Sequence, residues 1–303
     1  MRSSVGEKGL PMHVAQRFIA LRIVLLGSLV VAACGDAPLP CAEARQTCIG
    51  GDVVVDDAWL REALAAGEDV QVIDVRSPEM FAAGHVPGAL TLDVEALRAV
   101  DAGTDGQLAA PAAVEAALRA AGVRAGARLV ALAEEMQPES ARVVWTLQYF
   151  GHERAHLLEG GYSAWSGARE TGAASPAEGD ITVGDSVRSL RVDAAWVLEH
   201  LDDPAVVLID ARSPEEFAAG HIPGARGVDW HKNVAGGALR ATNELAALYA
   251  GIDRSQTVVA YCKSGMRAAL TFVVLQALGY RDVRLYDGSW NEWGARPDLP
   301  KET

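Results

Sequence analysis

The chain of 303 residues repeats itself. The stretch VIDVRSPEMFAAGHVPGA at Val72–Ala89 returns as LIDARSPEEFAAGHIPGA at Leu208–Ala225, a shift of 136 positions from Val72 to Leu208. Further on, LQYFG at Leu147–Gly151 matches LQALG at Leu275–Gly279, and Gly160 and Trp165 match Gly288 and Trp293, now at a shift of 128. The second copy is therefore 8 residues shorter in its middle. The openings also agree: VDDAWL at Val55–Leu60 parallels VDAAWV at Val192–Val197, each with an acidic residue able to accept from the first amides of a helix. Repetition on this scale implies one domain written twice, which suits the length. The boundaries fall at residues 51–170 for the first domain and 188–303 for the second. A Gly-, Ala- and Ser-containing linker at 171–187 separates them.

Within each copy, short apolar runs alternate with segments of helical spacing. Val70–Val75, Leu129–Ala133 and Ala155–Leu158 read as strands of the first copy, and Ala205–Ala211, Thr257–Tyr261 and Val283–Tyr286 as strands of the second. Ser140–Phe150 and Arg267–Leu278 read as helices that end before a glycine. Alternation of this kind predicts an α/β fold, two domains each with a mainly parallel sheet and helices on both faces. Reactive groups in such folds gather at the carboxyl ends of strands. With a formal net charge of −13 there is no basic stripe to neutralise a phosphate backbone, so nucleic acid is excluded as the expected partner.

The N-terminal residues form a separate compositional unit. Arg17 and Arg22 precede an apolar run from Ile23 to Ala33, interrupted by Gly27 and Ser28. A transmembrane helix needs about 20 apolar residues, whereas a basic flank with a shorter run describes a secretory signal peptide, here residues 1–33. The run closes on VAAC at Val31–Cys34, which resembles the lipobox of bacterial lipoproteins. The resemblance implies lipidation of Cys34, a tether over 34–50, and a membrane-anchored protein of the cell envelope facing the periplasm or exterior. An ordinary signal peptide or a hydrophobic anchor containing Cys34 is the alternative. Cys41 and Cys48 could close a disulfide in an oxidising compartment, remain free, or bind a metal, although their spacing fits no zinc pattern. No metal site and no cofactor is expected.

The remaining cysteine, Cys262, opens the stretch Cys262–Arg267 (CKSGMR) between an apolar strand and a helix. Loop amides, the helix dipole, Lys263 and Arg267 there favour an anion, so the thiol is expected to ionise readily. DxRxxxEFxxGHIPGA from Asp210 to Ala225, CxxGxR from Cys262 to Arg267 and GxxxxW from Gly288 to Trp293 together resemble the rhodanese family, over roughly Val53 to Arg296. That resemblance implies a sulfurtransferase. Cys262 takes sulfur from a small anionic donor such as thiosulfate, forms a persulfide, and passes it to cyanide, a small thiol or a protein thiol. Lys263, Ser264, Gly265, Met266 and Arg267 would bind the persulfide and donor, with Arg212 beside them.

Asp210 and Arg212 are equally readable as a structural pair, because Asp74 and Arg76 repeat them in a copy without the cysteine. His221, like His85, reads as a turn-fixing residue that could support the site. His231 and Lys232 could touch a donor anion, and Trp290 and Trp293 read as packing residues. At the shift of 128, Cys262 falls on Glu134 in an acidic loop, Glu134–Glu139, so the first domain is expected to be silent and to lend a wall through Trp59, Tyr149 or Phe150. The CKSGMR loop departs from the best-known thiosulfate and mercaptopyruvate patterns, and Glu216, the Glu of DxRxxxEF, stands after Arg212 where those patterns lead one to expect a second cation. A phosphatase or arsenate reductase, whose loop normally has five residues between Cys and Arg against four here, and a non-enzymatic binding module are the rival readings.

Overall fold

The computed structural model describes residues 53–99, 106–184 and 186–303. The expected signal segment 1–33, Cys34, the tether, Cys41 and Cys48 lie outside the described residues. In the first domain the order is β1 (Val54–Val55), α1 (Asp57–Ala65), β2 (Val70–Asp74), α2 (Pro78–Ala83), β3 (Leu90–Thr91), a 3-10 turn (Val94–Leu97), α3 (Pro111–Ala120), β4 (Arg128–Leu132), α4 (Pro138–Tyr149), β5 (Ala155–Leu158) and α5 (Gly161–Ala164). The second domain repeats it with β6 (Arg191–Val192), α6 (Ala194–Glu199), β7 (Val206–Asp210), α7 (Pro214–Ala218), β8 (Arg226–Gly227), a 3-10 turn (Trp230–Asn233), the hairpin β9 (Val234–Ala235) and β10 (Ala238–Leu239), α8 (Thr242–Leu248), β11 (Thr257–Tyr261), α9 (Met266–Ala277), β12 (Asp282–Tyr286) and α10 (Ser289–Ala295).

Each domain carries a five-stranded sheet of the same order, β1-β5-β4-β2-β3 and β6-β12-β11-β7-β8. Every pairing within them is parallel. The central strand β11 is apolar from Val258 to Tyr261 because both faces are covered, and these four residues are all fully buried. The acidic openings act as read: Asp56 Oδ1 accepts from the Trp59 amide at 2.8 Å, and Asp193 Oδ1 from the Trp196 amide at 2.8 Å.

The domains meet through α4 and α9. Helix α9 is apolar on nearly every side and is buried from Ala268 to Leu275, as a helix wedged between its own sheet and a neighbouring domain must be. Trp145 from α4 and Phe272 from α9 join one continuous core that draws on both copies. The linker is also packed. Ile181 is fully buried, and the Gly179 amide donates to Arg119 O at 2.8 Å, so the segment lies along α3. Among the described residues no helix is long and apolar enough to cross a membrane.

Candidate active site

Strand β11 delivers Cys262 at its carboxyl end, and the chain turns through Lys263, Ser264 and Gly265 into α9. Gly265 caps that helix in the left-handed region, φ +78°, with no side-chain cap. Among the described residues, none of the amides from Lys263 to Arg267 donates to another backbone carbonyl, which leaves five N–H groups of the loop and first helical turn without a backbone partner. The Cys262 amide, by contrast, is occupied: it donates to Ser289 Oγ at 3.2 Å. The carbonyls on the other side of the loop are tied down by α10, through Trp290 N to Cys262 O at 3.0 Å and Asn291 N to Lys263 O at 2.9 Å. Ser289 holds this junction at φ +53°, the one positive φ outside glycine among the described residues, and its hydroxyl donates to Tyr286 O at 2.8 Å. An L residue there is strained by about 1–2 kcal/mol. The surrounding bonds offset that strain.

Cys262 is buried and unpaired. Arg267, one turn into the helix, forms a two-pronged ion pair with Glu216 of α7, Nη1 to Oε2 at 2.6 Å and Nη2 to Oε1 at 2.9 Å. Hydrogen bonding to Glu216 raises the Arg267 pKa; burial opposes the rise, and the nearby Cys262 thiol adds to it. Glu216 is lowered to about 2, chiefly by that hydrogen bond. The expectation that Arg267 brings a free positive charge is therefore corrected, because Glu216 neutralises it. Lys263 is exposed and has no ion-pair partner among the described residues.

Arg212 is likewise closed. Its Nε meets both Asp210 oxygens at 3.0 Å, its Nη2 reaches Asp210 Oδ2 at 2.6 Å and Gly220 O at 2.7 Å, and Trp290 stacks on it at 4.5 Å. Asp74 and Arg76 repeat the arrangement. This is the structural pair that the repeat suggested, and it corrects Arg212 as an arginine held out to a donor. His221 fixes the turn, with Nδ1 3.0 Å from Phe217 O and its ring stacked on Phe217 at 3.8 Å; His85 does the same on Phe81.

The first domain reaches the loop through residues that the sequence did not single out. Arg98 Nη2 donates to Ser264 Oγ at 3.0 Å while its Nη1 is paired with Glu95. Gly106 lies so close that a Cβ there would stand 2.7 Å from Ser264 Cβ. Beneath Gly265, buried Asp287 accepts from Arg142 Nη1 of α4 at 2.7 Å and from the Leu108 amide at 2.7 Å, with Arg191 at 3.3 Å. A Cβ on Gly265 would meet Asp287 Oδ1 at 2.7 Å and Arg142 Nη1 at 2.8 Å. Only glycine fits there.

Trp59, Tyr149 and Phe150 do not supply that wall. Trp59 packs on His156 and Arg128, and Tyr149 on Trp145 and Phe150. Trp293 is core, its Nε1 donating to Pro300 O at 2.8 Å. His231 is engaged by Asp229 at 2.9 Å.

The first-domain loop corrects the register. Strand β4 ends at Leu132, paired with Asp74 as Tyr261 is with Asp210. The Tyr162 amide donates to Ala133 O and that of Ser163 to Glu134 O, where the second copy uses Cys262 O and Lys263 O. Ala133 therefore occupies the cysteine's place, and Glu134 occupies that of Lys263. The first-domain loop holds one residue more before its helix. Glu134 takes Arg76 Nη1 at 2.9 Å, and the Met136 amide is claimed by Gly237 O of the β9–β10 hairpin at 2.8 Å.

The family model described as Rhodanese-like domain matches the chain twice, over residues 56–168 and 193–296. The 3-mercaptopyruvate sulfurtransferase of Escherichia coli (strain K12) is 33% identical over 270 residues, covering 80% of this chain and 95% of that protein. The thiosulfate sulfurtransferase of Pseudomonas aeruginosa is 31% identical over 266 residues, covering 82% and 97%. The crystal structure of SseA from Escherichia coli, described as showing the rhodanese fold and catalytic mechanism of 3-mercaptopyruvate sulfotransferases, superposes with a TM-score of 0.71 at 30% identity, over 79% of this chain and 99% of that one.

Proposed function

This chain belongs to the rhodanese family of tandem-domain sulfurtransferases, and from that premise we propose that Cys262 is its nucleophile, alternating between thiolate and persulfide. With thiosulfate, the Cys262 sulfur bonds the outer sulfur, the S–S bond of the donor breaks, and sulfite leaves with the electron pair. With 3-mercaptopyruvate, the C–S bond breaks, the thiol proton ends on carbon, and pyruvate leaves. An acceptor thiolate or cyanide then attacks the outer sulfur of the persulfide and regenerates the Cys262 thiolate.

One observation carries this reading: Cys262 opens a loop at the carboxyl end of β11 and the N-terminus of α9 whose amides from Lys263 to Arg267 have no backbone partner among the described residues. Those donors suit an anionic persulfide as an oxyanion hole suits developing charge. The first domain has Ala133 at that place and a carboxylate beside it, so its role is to brace the second through Arg98, Arg142 and Leu108. A binding module without activity would need neither the cysteine nor the open amides.

The N-terminal reading is part of the same proposal. Residues 1–33 act as a secretory signal, Cys34 carries a lipid, and the enzyme works at the cell envelope. Support comes from the apolar run, its basic flank and the VAAC ending. Turnover tests the activity: the full chain given thiosulfate and cyanide, or 3-mercaptopyruvate and a thiol, is expected to release thiocyanate or pyruvate, and Cys262→Ala is expected to release neither. Equal turnover by the variant overturns the assignment.

A further inference from the structure

The cations around the loop are matched by carboxylates. Arg267 is paired with Glu216, Arg98 with Glu95 and Arg142 with Asp287, which leaves Lys263 as the cation without an ion-pair partner among the described residues. Cys262 is buried, whereas the Glu216 and Arg267 side chains are 35% and 25% exposed, so solvent reaches their pair as it reaches Lys263. One further bond holds the carboxylate: Glu216 caps its own helix, its Oε2 accepting from the Ser213 amide at 3.2 Å, and the pairing of β7 with β11 brings the carboxyl ends of the two strands, and with them the starts of α7 and α9, together.

We propose that Glu216 is a specificity-determining residue that biases persulfide formation toward donors bearing one negative charge, such as an α-keto thiol carboxylate, and against the thiosulfate dianion. The inference rests on Cys262 being the nucleophile. Arg267 closes the loop that Cys262 opens, so a donor held on that loop meets a guanidinium already engaged by a fixed anion. Each extra negative charge on the donor meets that anion with its counter-ion already engaged. The open amides and Lys263 still hold a single carboxylate.

Glu216→Gln tests this while keeping the helix cap, since glutamine serves equally at the third position of a capping box. We would measure kcat/KM of the full chain for thiosulfate and for 3-mercaptopyruvate in wild type, Glu216→Asp, Glu216→Gln and Glu216→Lys. The ratio of thiosulfate to mercaptopyruvate is expected to stay near the wild-type value in the Asp variant. It should rise about tenfold in the Gln variant and further in the Lys variant, and the rise should shrink in high salt. A purely structural role would lower both donors together and leave the ratio unmoved, which overturns the inference. If Glu216→Gln fails to fold, the Asp and Lys variants carry the same comparison. Wild type that forms no persulfide with either donor removes the nucleophile assignment and this inference with it. Wild type that turns over both donors, with a ratio indifferent to residue 216, removes this inference alone.

Discussion

Asp287→Asn should be among the most damaging single changes in the molecule outside the nucleophile. The carboxylate is fully buried, as is its partner Arg142, and it also accepts from the Leu108 amide. Asparagine keeps the shape and one acceptor oxygen but leaves a guanidinium charge inside the protein. Removing one member of a buried pair costs about 3–5 kcal/mol. Set against typical total stabilities of about 5–15 kcal/mol, that is a large share. The pair is also imperfect, since Arg142 Nε and Nη2 are buried without hydrogen-bond partners, so deleting both charges should hurt less than deleting one. Urea unfolding of wild type, Asp287→Asn, Arg142→Met and the double variant gives the cycle, with m-values checked for constancy. The double variant should recover most of the loss. A cost below about 1 kcal/mol for Asp287→Asn, or a double variant no better than that single one, refutes the reasoning.

Three other outcomes follow from the same geometry. Ser289→Gly relieves the positive φ but loses the acceptor for the Cys262 amide, so its stability should stay within about 1 kcal/mol of wild type, while Ser289→Ala keeps the strain and should cost about 1–3 kcal/mol by thermal or urea unfolding. Glu216 has a folded pKa of about 2 against an ordinary 4.5, so its pairing contributes stability above pH 4.5 and loses it as pH falls toward 2. The difference in unfolding midpoint between wild type and Glu216→Gln should shrink across that window. Ala133→Cys places a thiol at the cysteine's counterpart, but beside Glu134 rather than a lysine; in a Cys262→Ser background it should accumulate no persulfide when mass is followed after donor treatment.

The architecture was legible because it is stated twice. Matching stretches on either side fixed the two domains, and apolar runs of strand length separated by helical spacing fixed the sheet class. The loop carrying the cysteine was legible from a strand, a short cationic turn and an apolar helix. Its counterpart was not. A shift of 128 holds for the α4 and α9 helices, but β4 and β11 match at 129, from Leu132 to Tyr261, and the extra residue sits in a loop with no motif to anchor it. Glu216 was visible only as a missing cation, because its pairing with Arg267 depends on β7 lying beside β11 in the sheet. Arg98, Gly106 and Leu108 fall in the stretch where the first copy is longer and the repeat offers no match. That extra length was the one signal available.

A persulfide on Cys262 is read out by intact mass followed by peptide mapping of the full chain after thiosulfate or 3-mercaptopyruvate. A gain of about 32 Da that maps to Cys262, disappears on adding cyanide or thiol, and is absent in Cys262→Ser is the predicted result. Turnover of either donor with no sulfur ever found on Cys262, or undiminished in Cys262→Ser, would contradict it.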